Sequence, residues 1–389
     1  MSLQTRDLSI AGIPRNKCNG CFTCKSVCKQ SAISDSTDSA GFSYPVVNDD
    51  LCILCKKCIQ VCPANSSSAS RQPIACFAAI SKNADLLKKS SSGGMFGEIA
   101  SLFTQRNGIV YGCKWDDDFK SASHSYAYTP DEITKFYTSK YVQSNLNGIF
   151  AHVKSELRNN KPILFSGTPC QVYALNKYLE DDAGKVAYVD FICHGVPSPG
   201  VFQKYIFSLE RKNKSEIVYF NFRHKDEKKK KNIIGYKLKN NNEFLFKSRD
   251  DDLYFSLFNF NYILRESCFT CTSKSGRSLS DITIGDFWGI EKIKPSLTDY
   301  GCSCVVIWTP KGLDIWNSIK EELEYYDVKY EDIINNNKSI IKPSSKPIGY
   351  AFFSKIIAAF PFSFSARIVL GVHLFLRLCR KLNRLITKH

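Results

Sequence analysis

The 389-residue chain lacks most of the marks by which common architectures announce themselves. Its start, MSLQTRDLSIAG, has no apolar stretch of the kind an export leader needs. The expectation is a protein kept in a reducing compartment, where thiols stay available for iron instead of closing into disulfides. The apolar stretch near the C-terminus is interrupted by Arg367, His373 and Arg377. No run therefore nears the ~20 residues of a bilayer crossing. No G-x-G-x-x-G fingerprint is present, which argues against a tight Rossmann-type NAD site. The absence of H-E-x-x-H and of C-x-x-x-C-x-x-C removes a zinc hydrolase and a radical enzyme of the usual pattern. Acid is missing locally: from Ser354 to His389 there are seven Lys or Arg and no Asp or Glu, in a chain of net charge +16.

What is abundant is cysteine, 17 in all. Cys18, Cys21, Cys24 and Cys28, then Cys52, Cys55, Cys58 and Cys62 followed by Pro63, repeat the spacing C-x-x-C-x-x-C-x-x-x-C. This is the spacing of a two-cluster bacterial ferredoxin, in which three thiolates of one tight loop cap three corners of a 4Fe-4S cube and the fourth serves the other cube. The expected ligand sets are Cys18, Cys21, Cys24 and Cys62 for one cube, and Cys52, Cys55, Cys58 and Cys28 for the other. Structural zinc would ask for C-x-x-C pairs separated by a longer spacer.

At this length two or three domains are expected, and 43% hydrophobic with 13% aromatic residues supplies a packed core beyond the cysteine runs. The excess of basic residues raises nucleic acid or an anionic membrane as partner, and its placement decides between them. Lys228 to Lys231 sit between strand-like runs and read as a solvated turn, so nucleic acid is not expected. The tail is different. Over residues 374–388 a helix would put Arg377, Arg380, Lys381, Arg384 and Lys388 on one face and Phe375, Leu378, Cys379, Leu382, Leu385 and Ile386 on the other. Such a basic amphipathic helix lies on an anionic membrane surface, or docks on the protein's own core or a subunit with its charges solvated. The expected location is cytoplasmic, with a peripheral position at the inner face of the membrane if the tail binds lipid.

Between cysteine runs and tail the chain alternates strand and helix signals. NSSSASRQP reads as a Ser-rich linker. IVYGCKW, SASHSYAYT, KPILFSG and KVAYVDFIC read as strands, and MFGEIASLFTQR, CQVYALNKYLE and SPGVFQKYIFSLER as helices. IVYFNF, IIGYKLK and EFLFK look like an antiparallel addition; a helix DLYFSLFNFNYILR and the strands DITIGDF and CSCVVIWT follow. The predicted class is α/β with α+β additions, some of the pairing parallel.

Ligands in open α/β sheets bind beyond the carboxyl ends of the strands. Four segments there carry chemistry: Ser90-Ser91-Ser92-Gly93-Gly94 before a helix, suited to close approach of a phosphate; Gly167-Thr168-Pro169-Cys170; Cys193-His194-Gly195; and Cys268-Phe269-Thr270-Cys271. The four cysteines amount to a complete ligand set for a third cluster. Cys302 and Cys304 share one face of a strand, where packing is the plainer role, and Cys76, Cys113 and Cys379 read as ordinary thiols.

The stretches SSSGGMFGEIA, SKYVQS, ILFSGTPCQVYALNKYL, DFICHGVPSP, LRESCFTC and SDITIGDFWGI, in that order, resemble the coenzyme F-420 hydrogenase/dehydrogenase beta-subunit family over roughly residues 76 to 325. The resemblance implies a mixed-sheet core that holds FAD beside a core 4Fe-4S cluster, with the ferredoxin-type domain in front. It divides the chain into 1–70, the two-cluster domain; 76–155 and 156–345, the two parts of the flavin core; and 346–389, the basic tail. It implies Cys170, Cys193, Cys268 and Cys271 as cluster ligands. Ser92, Gly93 and Gly94 would cradle FAD phosphate, beside Gly167 and Thr168. Lys140, Tyr141, Gln143 and Ser144 would line the flavin, with Lys140 favouring its anionic reduced form. Asp286 is an acidic partner for a flavin or substrate proton, or a turn Asp capping backbone N–H groups.

A flavin exchanges electrons in pairs or singly, and each cubane carries one at a time. The combination converts two-electron into one-electron chemistry. The expected activity is an oxidoreductase acting on a small redox substrate or carrier; the alternative is an electron-transfer subunit that relays charge to a donor or acceptor protein.

Overall fold

The computed structural model describes residues 8–66, 68–146, 148–225, 233–294 and 301–386. The Lys228 to Lys231 cluster lies outside them. Thirteen strands occur among the described residues: β1 Ile33–Thr37, β2 Ser43–Val47, β3 Ala75–Ser81, β4 Ile109–Trp115, β5 Ala122–Ala127, β6 Ile163–Gly167, β7 Val186–Phe191, β8 Ile217–His224, β9 Ile233–Leu238, β10 Asn241–Ser248, β11 Ile282–Asp286, β12 Ser303–Ile307 and β13 Leu323–Asp327.

Eight of them form one mixed sheet in the order β13-β3-β12-β11-β7-β6-β4-β5. Its middle, β11, β7, β6 and β4, is parallel, and antiparallel strands flank it on both sides. β6 and β12 are buried at every residue, as strands covered on both faces must be, which is why they read as unbroken apolar runs. One face is covered by the helices Met95–Gln105 and Pro310–Ile319, whose Met95, Ile99, Phe103, Ile315 and Trp316 pack on Val110, Leu164 and Val305. The other is covered by Ile149–Glu156 and Pro169–Leu179, with Phe150, Val153, Val172 and Leu175 against Ile109, Tyr111, Ile163 and Tyr188. The sheet runs across the 155/156 boundary, so the two halves of the core share a single β-layer.

β8, β9 and β10 make a separate antiparallel sheet, the addition expected from the runs IVYFNF, IIGYKLK and EFLFK and the charged or Asn-rich turns between them. The helix foreseen over DLYFSLFNFNYILR is shorter, Leu253–Asn259. It stops because Asn261 takes a left-handed φ of 68° and Tyr262 N–H turns back to the Leu257 carbonyl. Two strands had no clear signal. β3 is a short apolar run directly after the Ser-rich segment, and β13 is an exposed edge with a single buried residue.

The N-terminal domain consists of the hairpin β1–β2 and two one-turn helices, Thr23–Ser26 and Lys57–Gln60. It is bonded firmly to the core. The segment expected to be a linker instead runs along the core: Ser70 Oγ donates to the Ser275 carbonyl at 3.0 Å, and Arg71 donates to the Gly276 and Ser280 carbonyls at 2.7 and 2.9 Å. At the hairpin turn Gly41, at φ 86°, lies so near Gly200 that a Cβ there would stand 2.5 Å from the Gly200 Cα. Two backbones meet with nothing between them.

Candidate redox site

Each cysteine run folds as a loop around a point. Phe22 and Lys56, each directly after the second cysteine of its run, both adopt left-handed φ, 55° and 64°, as do Gly20 and Leu54 directly before it. Non-glycine residues held there cost energy and cluster at ligand clamps. In the first run, burial above all, and then the neighbouring Cys21, Cys18 and Cys62, push the Cys24 thiol far up. Burial and then Cys21 push Cys62 up to about 12. These four thiols face one another. Cys28 joins Cys52, Cys55 and Cys58 around a second cavity of about 120 Å³. Cys62 of the second run thus lies near Cys18 and Cys21, and Cys28 of the first run lies with Cys52, Cys55 and Cys58.

The core cysteines also converge. β6 and β7 are neighbours, so Cys170, opening the helix after β6, and Cys193, just past β7, end up side by side. Cys268 and Cys271 arrive on the one-turn helix Glu266–Thr270 and its end. Burial raises Cys170 most, followed by Cys271 and Cys193, and Cys21 of the first run also contributes. Cys193 and Cys268 are both held up at about 12, again first by burial. Among the described residues no three such side chains close on a single bare ion, and a cubane keeps its four thiolates further apart than an ion would. Cys170, Cys193 and Cys268 are raised by burial and by one another, and Cys271 lies beside them; such a set would suit a 4Fe-4S cube, which would take the four as thiolates.

Beside these sets sit two cations that the cysteine motifs do not reveal. Arg265 is 1% exposed. Its Nε donates to the Cys18 carbonyl at 2.7 Å, Nη2 to the Ser43 carbonyl at 2.8 Å and Nη1 to Gln143 Oε1 at 2.9 Å; Nη2 stands 3.9 Å from Cys18 Sγ. The guanidinium lies over the Tyr44 ring at 4.2 Å. Lys274, also buried, donates to the carbonyls of Cys193 and Ser339, the latter at 2.7 Å, and lowers Cys193 and Cys268 against the burial effect.

Beside the core cysteines lies a cavity of about 570 Å³, and Cys193, His194 and Gly195 form part of its wall. Ser92, Gly94, Lys140, Tyr141, Ser144, Gly167, Thr168 and Asp286 line it as well. The helix Met95–Gln105 starts from Gly94, φ 85°, with no side-chain cap, and its first residues Met95, Phe96 and Gly97 face the cavity. Uncapped N–H groups there suit an anion. Arg223 Nη2 donates to the Ser91 carbonyl at 2.6 Å, and Lys225 to those of Leu87 and Ser92 at 2.8 and 2.9 Å, which holds the serine loop open. The start of the helix Pro169–Leu179, by contrast, is closed by Gln171, whose Oε1 accepts from Thr168 N–H at 2.9 Å.

Two expected cavity residues stand elsewhere. Gly93 is pressed against the sheet, its N–H donating to Ser303 Oγ at 3.0 Å, and a Cβ would meet the Ala79 carbonyl at 2.4 Å. Gln143 turns toward the N-terminal domain, donating to the Asn19 carbonyl at 3.0 Å while it accepts from Arg265. Asp286 is neither a free acid nor a turn cap: Arg223 grips it with both nitrogens, at 2.6 and 3.2 Å. Lys140 donates to the carbonyls of Lys135, Tyr137 and Thr138, and burial lowers it to about 8. Ser144 belongs to a polar chain: Gln171 donates to its Oγ at 2.9 Å, and that hydroxyl lies 3.0 Å from His124 Nδ1. His124 Nε2 is 3.0 Å from the Ser166 carbonyl, and burial lowers the ring to about 4, so it is neutral. His194 is held by Asn261 at 2.6 Å. Cys302 and Cys304 are buried with Cys76 among apolar side chains, outside the cavity wall.

Residues 17–66 match the 4Fe-4S dicluster domain. Residues 160–332 match the family described as the C terminus of the coenzyme F420 hydrogenase/dehydrogenase beta subunit. Among solved structures, a chain of the F420-reducing NiFe hydrogenase complex from Methanosarcina barkeri is similar at 17% identity and a TM-score of 0.47, over 78% of this chain and 93% of that one. No curated protein matches. The chain is thus an iron-sulfur protein, a 4Fe-4S dicluster domain joined to a core that matches the C-terminal part of the F420 hydrogenase/dehydrogenase beta subunit.

Proposed function

We propose that the protein is an iron-sulfur flavoprotein oxidoreductase, with FAD in the large cavity and three 4Fe-4S cubes leading away from it. The observation that carries this reading is adjacency. The cavity wall includes Cys193, Cys21 is near enough to raise Cys170 electrostatically, and the first-run set shares its loops with the second, so redox sites would form one file from cavity to surface. When bound, FAD supplies the exchange between a two-electron and a one-electron carrier.

The chain's own residues prepare that exchange. The open helix start at Met95, with Arg223 and Lys225 bracing the serine loop, is the anion-binding end suited to the pyrophosphate. Lys140, charged below pH 8, places a buried cation at the wall and favours a negative reduced cofactor. Neutral His124, fixed through Ser144 and Gln171, keeps its N–H on the Ser166 carbonyl and neither takes nor gives a proton near neutrality. The second-run loop is the exit: Cys55 is exposed, and Leu51 and Ile53 beside it are exposed apolar side chains where a redox partner could seat.

Iron, acid-labile sulfide and flavin per chain after anaerobic purification test the reading. About twelve irons with one FAD are expected. About eight irons and no flavin would overturn it and leave a ferredoxin-like relay protein. A reduced flavoprotein oxidised by small substrates alone, without a second polypeptide, would mark an enzyme; one oxidised only by a partner protein would mark a relay.

A further inference from the structure

The last two helices are Tyr350–Ala359 and Phe362–Ile386, and among the described side chains, up to residue 376, they pack on the protein by one stripe. Phe353, Ile357, Phe362, Ala366 and Val369 are buried in the largest apolar cluster, and His373 stacks on Phe260 at 4.2 Å. A helix docked this way in a globular protein ordinarily shows a polar face to water. Here large apolar side chains stand among the outward residues: Phe352, Phe360, Phe364, Leu374 and Phe375 are 47–65% exposed, with Lys355 and Arg367 exposed beside them. Phe360 and Phe364 lie ring to ring at 5.4 Å, and exposed apolar side chains grouped in this way mark an interaction surface.

Charge selects the occupant. From residue 333 to the end there is no Asp or Glu, while Lys355, Arg367, Arg377, Arg380, Lys381, Arg384 and Lys388 all fall within the two helices or just beyond. A second copy of the chain, meeting this face about a two-fold axis, would bring the same cations together. Among the described residues no helix is long and apolar enough to cross a membrane. Aromatic rings with cations and no acid suit a helix lying in the plane of an anionic lipid surface. We propose that the face formed by these two helices docks on an anionic membrane, its phenylalanines entering the acyl boundary and its exposed cations Lys355 and Arg367 meeting the lipid phosphates, within a segment whose sequence carries no acid.

The holoprotein is mixed with vesicles of phosphatidylcholine alone, and of phosphatidylcholine with phosphatidylglycerol, and sedimented. Binding to the anionic vesicles alone, weakened by salt, is expected. The double variant Phe364→Ser with Phe375→Ser should lose about tenfold in partitioning for each ring removed. Both side chains are more than half exposed, so circular dichroism and cluster absorbance of the variant should match the parent. Equal binding to both vesicle types, retention by the double variant, or no binding together with a concentration-dependent dimer would each overturn the proposal, the last by showing the face to be a protein interface.

Discussion

Arg265 is the residue whose removal should be felt furthest from where it sits. Its guanidinium is buried, and among the described residues no carboxylate forms an ion pair with it. A buried cation without a counter-charge is costly. A cubane held by four thiolates is anionic, gains a further negative charge on reduction, and would stand beside Nη2 through Cys18 Sγ, 3.9 Å away. One charge against another at 4 Å is worth about 4 kcal/mol at an effective dielectric of 20. Because the added electron spreads over the cube, about half of that, ~2 kcal/mol, is the expected difference between oxidised and reduced forms. For one electron this is about 90 mV. Arg265→Met should therefore lower the potential of one cube by about 90 mV, read by EPR-monitored anaerobic titration, and leave the others nearly in place. Arg265→Lys keeps the charge without the three-way fork and should fall in between. A Met variant that retains its iron, with every midpoint unmoved, would refute the counter-ion reasoning.

Cys268→Ser should lower bound iron from about twelve to about eight per chain, measured with acid-labile sulfide, and leave the ferredoxin-type EPR signals intact. Arg223→Met strips Asp286 of its partner and releases the Ser91 carbonyl; a loss of about 2 kcal/mol in urea unfolding and weaker flavin retention are expected. Lys140 is lowered by burial to about 8, whereas an unfolded lysine titrates near 10.4. Below pH 8 both states are protonated and the burial cost is full. Between about 8 and 10.4 the folded protein sheds the proton first, so stability rises with pH there. The stability of Lys140→Met relative to the parent should accordingly fall by about 2 kcal/mol between pH 7 and pH 10 in paired urea titrations, and a flat difference would show that Lys140 keeps an ordinary proton affinity.

Much of this molecule could be read from local pattern because its strongest signals are local. The cysteine runs carry their own geometry in the spacing, and the matched 4Fe-4S dicluster domain spans both. The parallel strands β6 and β7 are apolar runs followed by loops and helices, and the mixed α/β architecture follows from them. What escaped depends on partners distant in sequence. Nothing in LRESCFTC reveals that Arg265 bonds Cys18, Ser43 and Gln143, more than a hundred residues earlier. Gln143 sits in a motif read as flavin-lining, yet its amide answers Asn19 and Arg265. The Ser-rich segment has a linker's composition, but its hydroxyls and Arg71 find core carbonyls that only the folded chain presents. β13 was hidden because an edge strand with one buried residue leaves no apolar trace.

The contact of Gly41 with Gly200 bears on how electrons are timed. Proteins that carry charge on a swinging domain wait for diffusion, and their turnover slows in viscous media. Here a hairpin rests backbone to backbone on the core, so the spacing between the first cysteine set and the core set is built in, with no arm to swing. Internal transfer should then be indifferent to viscosity, and the slow, selectable event moves to the exposed rim at Leu51, Ile53 and Cys55, where different partners could be accommodated without retuning anything inside.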